Sequence, residues 1–173
     1  MFQQFGSNVA TAAAVSFLGL FPEAALAQTS EERRERGSAV IRSLNNGMTQ
    51  PTLEGMRREF PFLADATEAY ALGDVWSRTG LDNRTRQLAA VAAFAAIGET
   101  AFMRVHAGYA LNIGVSEEEL KEVIYMVTVP AGFPKAIAAS QVLSDLFRER
   151  RDVNSGEPAG ERPATTLPEE TQP

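Results

Sequence analysis

His106 is the only histidine in a 173-residue chain that has no cysteine. Its imidazole is therefore the one side chain whose ordinary pKa lies near neutrality, and it is the candidate general acid or base. Phe102, Tyr109, Ala110 and Ile113 stand at i−4, i+3, i+4 and i+7 from it. On a helix it shares a face with an apolar stripe, which equally describes a hydrogen-bonded core histidine. Glu99, two turns upstream, lies on a similar face and could orient the ring or titrate against it. Arg78, Arg84, Arg86 and Arg104 bring cations to the same region. Arg84 and Arg86 follow Asp82 in what reads as the first turn of a helix, where the macrodipole disfavours positive charge. Such a conflict fits a carboxylate clamp; it also fits ion pairs with acidic neighbours or another subunit. Asp74 and Trp76, with Tyr70 and Tyr125, are candidates to line a pocket, although a large aromatic such as Trp76 is also ordinary core material.

Composition removes several chemistries. Without cysteine, disulfides, thiolate nucleophiles, Cys-x-x-Cys redox pairs and Cys-ligated metals have no place in this chain. One histidine excludes a multi-histidine metal site within the chain, and no Gly-rich phosphate loop, HExxH or GxSxG occurs. Sixteen Lys and Arg against 22 Asp and Glu give a net charge of −6, without the basic patch that nucleic acid requires. Most of that charge sits in the last 22 residues, so the central unit is nearly neutral.

The elements that must position these residues fall in the middle of the chain. Residues 1–27 carry a 13-residue apolar run, Val9 to Phe21, and an Ala25-Leu26-Ala27 site. That reads as a signal peptide cut after Ala27, too short to span a membrane, and it predicts a periplasmic or secreted protein with no membrane segment in its mature form. Residues 152–173 hold four of the nine prolines and few large apolar side chains, and read as a disordered acidic tail. Residues 28–151 read as helical throughout: Glu31 to Asn46, Thr52 to Phe60, Phe62 to Ser77, a helix capped by Asp82 and stopped by Gly98, Glu99 to Ile113, a helix opened by Ser116, and Phe133 to Arg150. Ser116-Glu117-Glu118-Glu119 is a capping box. It is followed by Leu120, Val123, Ile124 and Val127 at core-facing spacing, with Pro130 and Gly132 expected to interrupt the helix. No sustained strand alternation occurs, and an all-α bundle of about six to seven helices is the predicted class.

Thr79 to Ala136 resembles the carboxymuconolactone decarboxylase family. The resemblance lies in Gly-Leu-Asp-x-Arg-Thr-Arg (Gly80 to Arg86), Val105-His106, Ala-Leu-Asn-x-Gly-Val-Ser-x-Glu-Glu (Ala110 to Glu119) and Ala-Gly-Phe-Pro (Ala131 to Pro134). Asp74-Val75-Trp76 resembles the Gly-Glu-x-Trp segment that precedes the domain in the decarboxylase branch, with Asp in place of Glu. Pro130 stands where a Tyr is common. The resemblance implies a bundle of the alkylhydroperoxidase type, assembled into a homotrimer or homohexamer with sites near subunit interfaces. In the alkylhydroperoxidase-like branch a Glu, a Cys-x-x-Cys and a His form the relay. Here the cysteine positions are Glu99 and Phe102 and the Glu position is Gln87, so thiol peroxidase chemistry is excluded. The decarboxylase branch implies a cofactor-free, metal-free lyase (or isomerase) acting on a small cyclic carboxylate. His106 would be the proton donor, Arg84 and Arg86 the carboxylate clamp, Trp76 a substrate contact, and Asp74 and Glu99 supporting groups. The alternative on the same fold is a non-catalytic oligomer that binds a ligand or a partner protein.

Overall fold

The computed structural model describes residues 29–155; the expected signal peptide and residues 156–173 lie outside that range. The described residues form seven α-helices and one π-helical segment, the all-α architecture expected. In chain order they are α1 (Ser30–Leu44), α2 (Pro51–Glu59), α3 (Pro61–Ala66), which runs on into a π-helical segment (Thr67–Trp76), α4 (Asn83–Ile97), α5 (Thr100–Asn112), α6 (Glu117–Ala131) and α7 (Phe133–Ser155).

Local chemistry accounts for most boundaries. Thr29 caps α1 in a reciprocal box with Glu32, and Ser116 does the same for α6 with Glu119. The Asp82 side chain accepts from the Thr85 N–H at 2.7 Å to open α4, and Gly98, at φ 89°, closes it in the left-handed conformation. Pro51 and Pro61 occupy first turns, where a missing N–H costs nothing. Pro130 does not break α6 as expected. It sits in the last turn, the Gly132 N–H still bonds the Thr128 carbonyl at 3.1 Å, and the chain turns only at Gly132. Helix α7 also runs to Ser155, past the expected end of the folded unit.

Helices α4 to α7 enclose the main core. Val91, Met103, Leu120, Ile124, Val127 and Leu143 are buried there. The α6 stripe read from spacing is this core face, whereas Ile137 of α7 is 54% exposed. A smaller core of Ile41, Leu53 and Ala64 joins α1 and α2 to α3.

Helix α1 packs chiefly on the π-helical segment, backbone against backbone. A Cβ added at Gly37 would lie 2.0 Å from the Glu68 carbonyl oxygen, and one at Gly73 would lie 2.0 Å from the Arg33 carbonyl oxygen. Only glycine fits either position. Arginines from α1 and α2 then clamp the acids of the opposite segment. Arg33 and Arg36 hold Asp74, and Arg57 reaches Glu68 at 2.9 Å and Asp65 at 3.3 Å. The Asp82-capped loop that follows hands the chain from this layer to α4.

Because the atoms facing these two glycines are backbone, side-chain repacking cannot relieve an added methyl. Gly73→Ala is expected to destabilise the protein by about 2 kcal/mol or more, in the range of overpacked cores. Urea denaturation of the variant against an uncrowded control, Gly55→Ala, where the nearest atom to an added Cβ is 4.0 Å away, measures this.

Candidate active site

The site is assembled from the end of the π-helical segment, the inner face of α4 and the middle of α5. The π-helical segment delivers Trp76, whose ring stacks on His106 with centroids 5.1 Å apart and planes 28° from parallel. From α4, Phe94 stacks on the same imidazole at 5.1 Å and 19°. Tyr109, one turn on from His106, presents its edge at 6.1 Å. Its hydroxyl accepts a hydrogen bond from Gln50 Nε2 at 2.9 Å, tying α5 to the start of α2.

Gln87 completes the shell. It lies on the buried face of α4 with Val91 and Ala95, is fully buried, and sets Oε1 2.9 Å from His106 Nδ1. An amide oxygen only accepts, so Nδ1 carries the proton and Nε2 holds the lone pair. Burial among aromatic rings pushes the imidazole down to about 4, so it is neutral at pH 7. The environment thus holds His106 as an uncharged imidazole in the free protein, so it must gain a proton before it can act as the donor that the family resemblance implies. Beside it, two sealed donors have no partner among the described residues: Trp76 Nε1 and Gln87 Nε2.

The remaining expected residues separate. Asp74, two residues before Trp76, is engaged by Arg33 Nε at 2.8 Å and Arg36 at 3.2 Å, and the Arg33 guanidinium holds its carboxyl below the usual range. It braces the π-helical segment against α1 and does not reach His106. Glu99 is the exposed N-cap residue of α5 and makes no side-chain cap bond. Arg84 pairs with Glu119 of α6 on the surface. Arg86 donates from Nε to the Leu81 carbonyl at 3.1 Å and from its terminal nitrogen to the Arg78 carbonyl. It therefore shapes the loop before α4. Tyr70 and Tyr125 are exposed and do not line the Trp76 pocket.

That loop borders an open groove of about 570 Å³ whose lining includes Arg36, Trp76, Arg78, Leu81 and Asn83. Arg78 stands in this groove with no ion pair among the described residues, unlike Arg84 and Arg104, which pair with Glu119 and Glu149. Sequence reasoning counted Gln87 only as a lost glutamate position and passed over Phe94. A polar residue four and eight positions before apolar residues on a buried helix face was the available signal for Gln87.

A single imidazole on the fifth helix of such a bundle, faced by α4 and reached by a tryptophan from the preceding segment, defines a class, and the comparisons agree with it. The chain belongs to the carboxymuconolactone decarboxylase family, whose sequence profile matches residues 61–145. It is 38% identical over 80 residues to the 4-carboxymuconolactone decarboxylase of Acinetobacter baylyi, an alignment covering 46% of this chain and 60% of that enzyme. It is 31% identical over 102 residues to the nitrosuccinic acid decarboxylase of Metarhizium robertsii, covering 56% and 70% of the two chains. An uncharacterised 15.0 kDa protein of Paracoccus denitrificans is 25% identical over 122 residues, covering 69% and 90%. The chain thus spans 60% of the length of the Acinetobacter enzyme, and α1 with α2 lies outside the family profile.

The depressed His106 pKa has a consequence for stability. Unfolded, the imidazole titrates near 6.5; folded, near 4. Between these values the unfolded chain binds the additional proton and the folded chain does not, so stability falls as pH drops from 6.5 towards 4. The full loss is roughly 3 kcal/mol. Urea denaturation at pH 7 and pH 4.5 should show most of that difference in the wild type. It should shrink by 1 kcal/mol or more in His106→Gln, whose carboxylates titrate as before.

Proposed function

We propose that this protein is a decarboxylase acting on a small carboxylate through His106, with no second imidazole or thiol in the reaction. The observation that carries the reading is the held, uncharged His106: Gln87 fixes its tautomer, aromatic rings desolvate it, and Nε2 has no hydrogen-bond partner among the described residues. Two of the relatives are named as decarboxylases, of 4-carboxymuconolactone and of nitrosuccinic acid, which supports the reaction type.

The chemistry consumes one proton: R–CO₂⁻ and H⁺ give R–H and CO₂. The carboxylate enters the groove beside Trp76, where Arg78 is the cation free to meet it. Arg86 supports that cation by holding the loop carbonyls of Arg78 and Leu81. A bound anion near the ring raises its proton affinity, so Nε2 takes up a proton from water as substrate binds. When the C–CO₂ bond breaks, its electron pair moves into the conjugated part of the substrate. His106 Nε2 then returns the proton to carbon, and the ring is again neutral. Asp74 acts at a distance in this scheme, by keeping the Trp76 segment on α1.

The assembly is part of the proposal. Ile97, Phe102, Val129 and Phe133 are 55–86% exposed, at or beside the α4–α5 turn and the α6–α7 turn. The Lys135 ammonium, bonded to the Ile97 carbonyl at 3.2 Å, ties those turns together. Single exposed apolar residues are ordinary, but so many at one end of a bundle suit an interface between copies of this chain. Export of the protein rests on the sequence of residues 1–27 alone.

Two measurements test this. His106→Asn should lower CO₂ release from 4-carboxymuconolactone or nitrosuccinic acid at least 100-fold, the scale of a lost general acid, with the oligomer unchanged. Saturable binding of these acids without CO₂ release by the wild type would instead identify a binding protein. Val129→Glu should convert the oligomer to monomer in light scattering; an unchanged mass would remove this face from the interface.

A further inference from the structure

We propose that the indole N–H of Trp76 and the free amide N–H of Gln87 form an oxyanion-binding pair beside His106. On this view the substrate is a carboxylate that carries a second, conjugated acceptor oxygen, which the pair receives as CO₂ departs. The identity of that oxygen rests on the decarboxylase reading; the donor pair does not.

Trp76 Nε1 and Gln87 Nε2 are the sealed side-chain polar atoms without a partner among the described residues, and both belong to side chains in direct contact with the His106 ring. Leaving a donor buried and unbonded costs about 1–3 kcal/mol. Two such costs falling on one imidazole mark a place where a third group supplies acceptors. Both atoms are donors only, so the missing group offers oxygen lone pairs, and a cation or an amine would be repelled. Gln87 cannot turn to satisfy itself. Its Oε1 is committed to the His106 Nδ1 proton, which aims the NH₂ away from the ring nitrogen it serves.

The choice between the two kinds of substrate oxygen follows from where charge moves. Donors placed on the leaving carboxylate, as Arg78 is, help to bind the ground state but lose their value as CO₂ forms, so they do not speed the step itself. Donors placed on the conjugated oxygen gain strength as the electron pair of the breaking C–C bond arrives there, and sealed surroundings magnify that gain. In the balanced step the C–CO₂ bond breaks, its electrons pass to the conjugated oxygen held by Trp76 and Gln87, CO₂ leaves, and His106 Nε2 protonates the carbon as the electrons return. The amide of Gln87 acts twice, Oε1 setting the tautomer and Nε2 holding the oxyanion. The groove cation Arg78 meets the carboxylate at the other end.

One tryptophan and one histidine make the test direct, because each gives a single side-chain signal in the whole chain. The probes are 4-nitrophenolate, a planar delocalised oxyanion, and 4-nitroanisole, the same shape without the charge, each titrated into the full protein at a pH where the phenol is ionised. The indole N–H proton resonance should move downfield saturably with 4-nitrophenolate and little with 4-nitroanisole. In Trp76→Phe, which keeps a stacking ring, the preference for the phenolate over the anisole should fall about tenfold, as expected for a lost hydrogen bond to a charge. Loss of packing alone would weaken both probes and leave their ratio intact. Three results overturn the proposal: no phenolate binding, an indole resonance unmoved at saturation because water already fills the place, or a free-state His106 protonated on Nε2, which would turn the Gln87 NH₂ towards the ring. If the indole responds as stated while neither relative's acid loses CO₂, the donor pair stands and the decarboxylase reading falls. If CO₂ release is normal and the indole is silent, the reverse holds.

Discussion

The contact of α1 with the π-helical segment, closed to backbone distance by Gly37 and Gly73, is the constraint on which the site depends. A helix crossing normally keeps two layers of side chains between the axes; here carbonyl oxygens stand where side chains would begin. That draws the end of the segment inward, and Trp76 is its last residue. A π-helical stretch spreads its hydrogen bonds to i→i+5, and such stretches gather at functional positions because they re-aim side chains that a regular helix would send elsewhere. The ion pairs of Arg33, Arg36 and Arg57 are surface or half-buried and individually weak. Their value lies in register, since they meet the segment on both sides of the glycine contact. The two helices outside the family profile therefore bear on the chemistry. They carry no reacting group, yet they set the height of the indole over the imidazole.

Desolvation lowers the proton affinity of His106, and its hydrogen-bond partner does not oppose it. Trp76 and Phe94 remove water from the ring, and the partner at Nδ1 is an amide that gains nothing from a positive charge. A carboxylate there would draw the ring towards imidazolium; the amide leaves burial unopposed. The protein consequently stores a neutral imidazole, and on the proposed scheme its proton arrives with an anion, coupling substrate charge to the protonation state that carbon protonation needs. An imidazole already charged in the free site would attract any anion; this one has to be given a reason to charge.

Much of the scaffold was legible because it follows local rules. The Asp82 and Ser116 caps, the stops at Gly98 and Gly114 and the α6 stripe each depend on residues within one or two turns of one another, and each has the structure expected. The candidate list fared unevenly for the same reason. His106 and Trp76 were legible as rare residue types, and their stacking is in the structure. Arg84 was judged by its helix position and Asp74 by its neighbour Trp76, but their partners, Glu119 and the α1 arginines, are 35 or more residues distant in sequence. Gln87 and Phe94 acquire meaning only when α4 lies against α5. Nothing local in the sequence Thr67 to Trp76 distinguishes a π-helical segment from an ordinary helix, because what favours it is the close approach of Gly37 from another element.

The missing cysteines and the Gln87 amide belong to one physical arrangement. A thiol relay needs a carboxylate to hold charge on its histidine and needs the histidine near two sulfurs. Here the two sulfur positions are Glu99, in solvent at a helix start, and Phe102, stacked on Phe94 at 5.6 Å. The place of the sulfurs has become part of the aromatic wall, and the place of the carboxylate has become a neutral acceptor with a donor to spare. Each change alone would leave a damaged relay: an amide beside thiols would strand the histidine uncharged, and aromatics beside a carboxylate would bury an unbalanced charge. Together they are consistent with each other, as the low proton affinity of His106 requires. In this chain one imidazole is surrounded by an amide and aromatic rings, and with no carboxylate or thiol against it nothing among the described residues offsets the burial that keeps it uncharged.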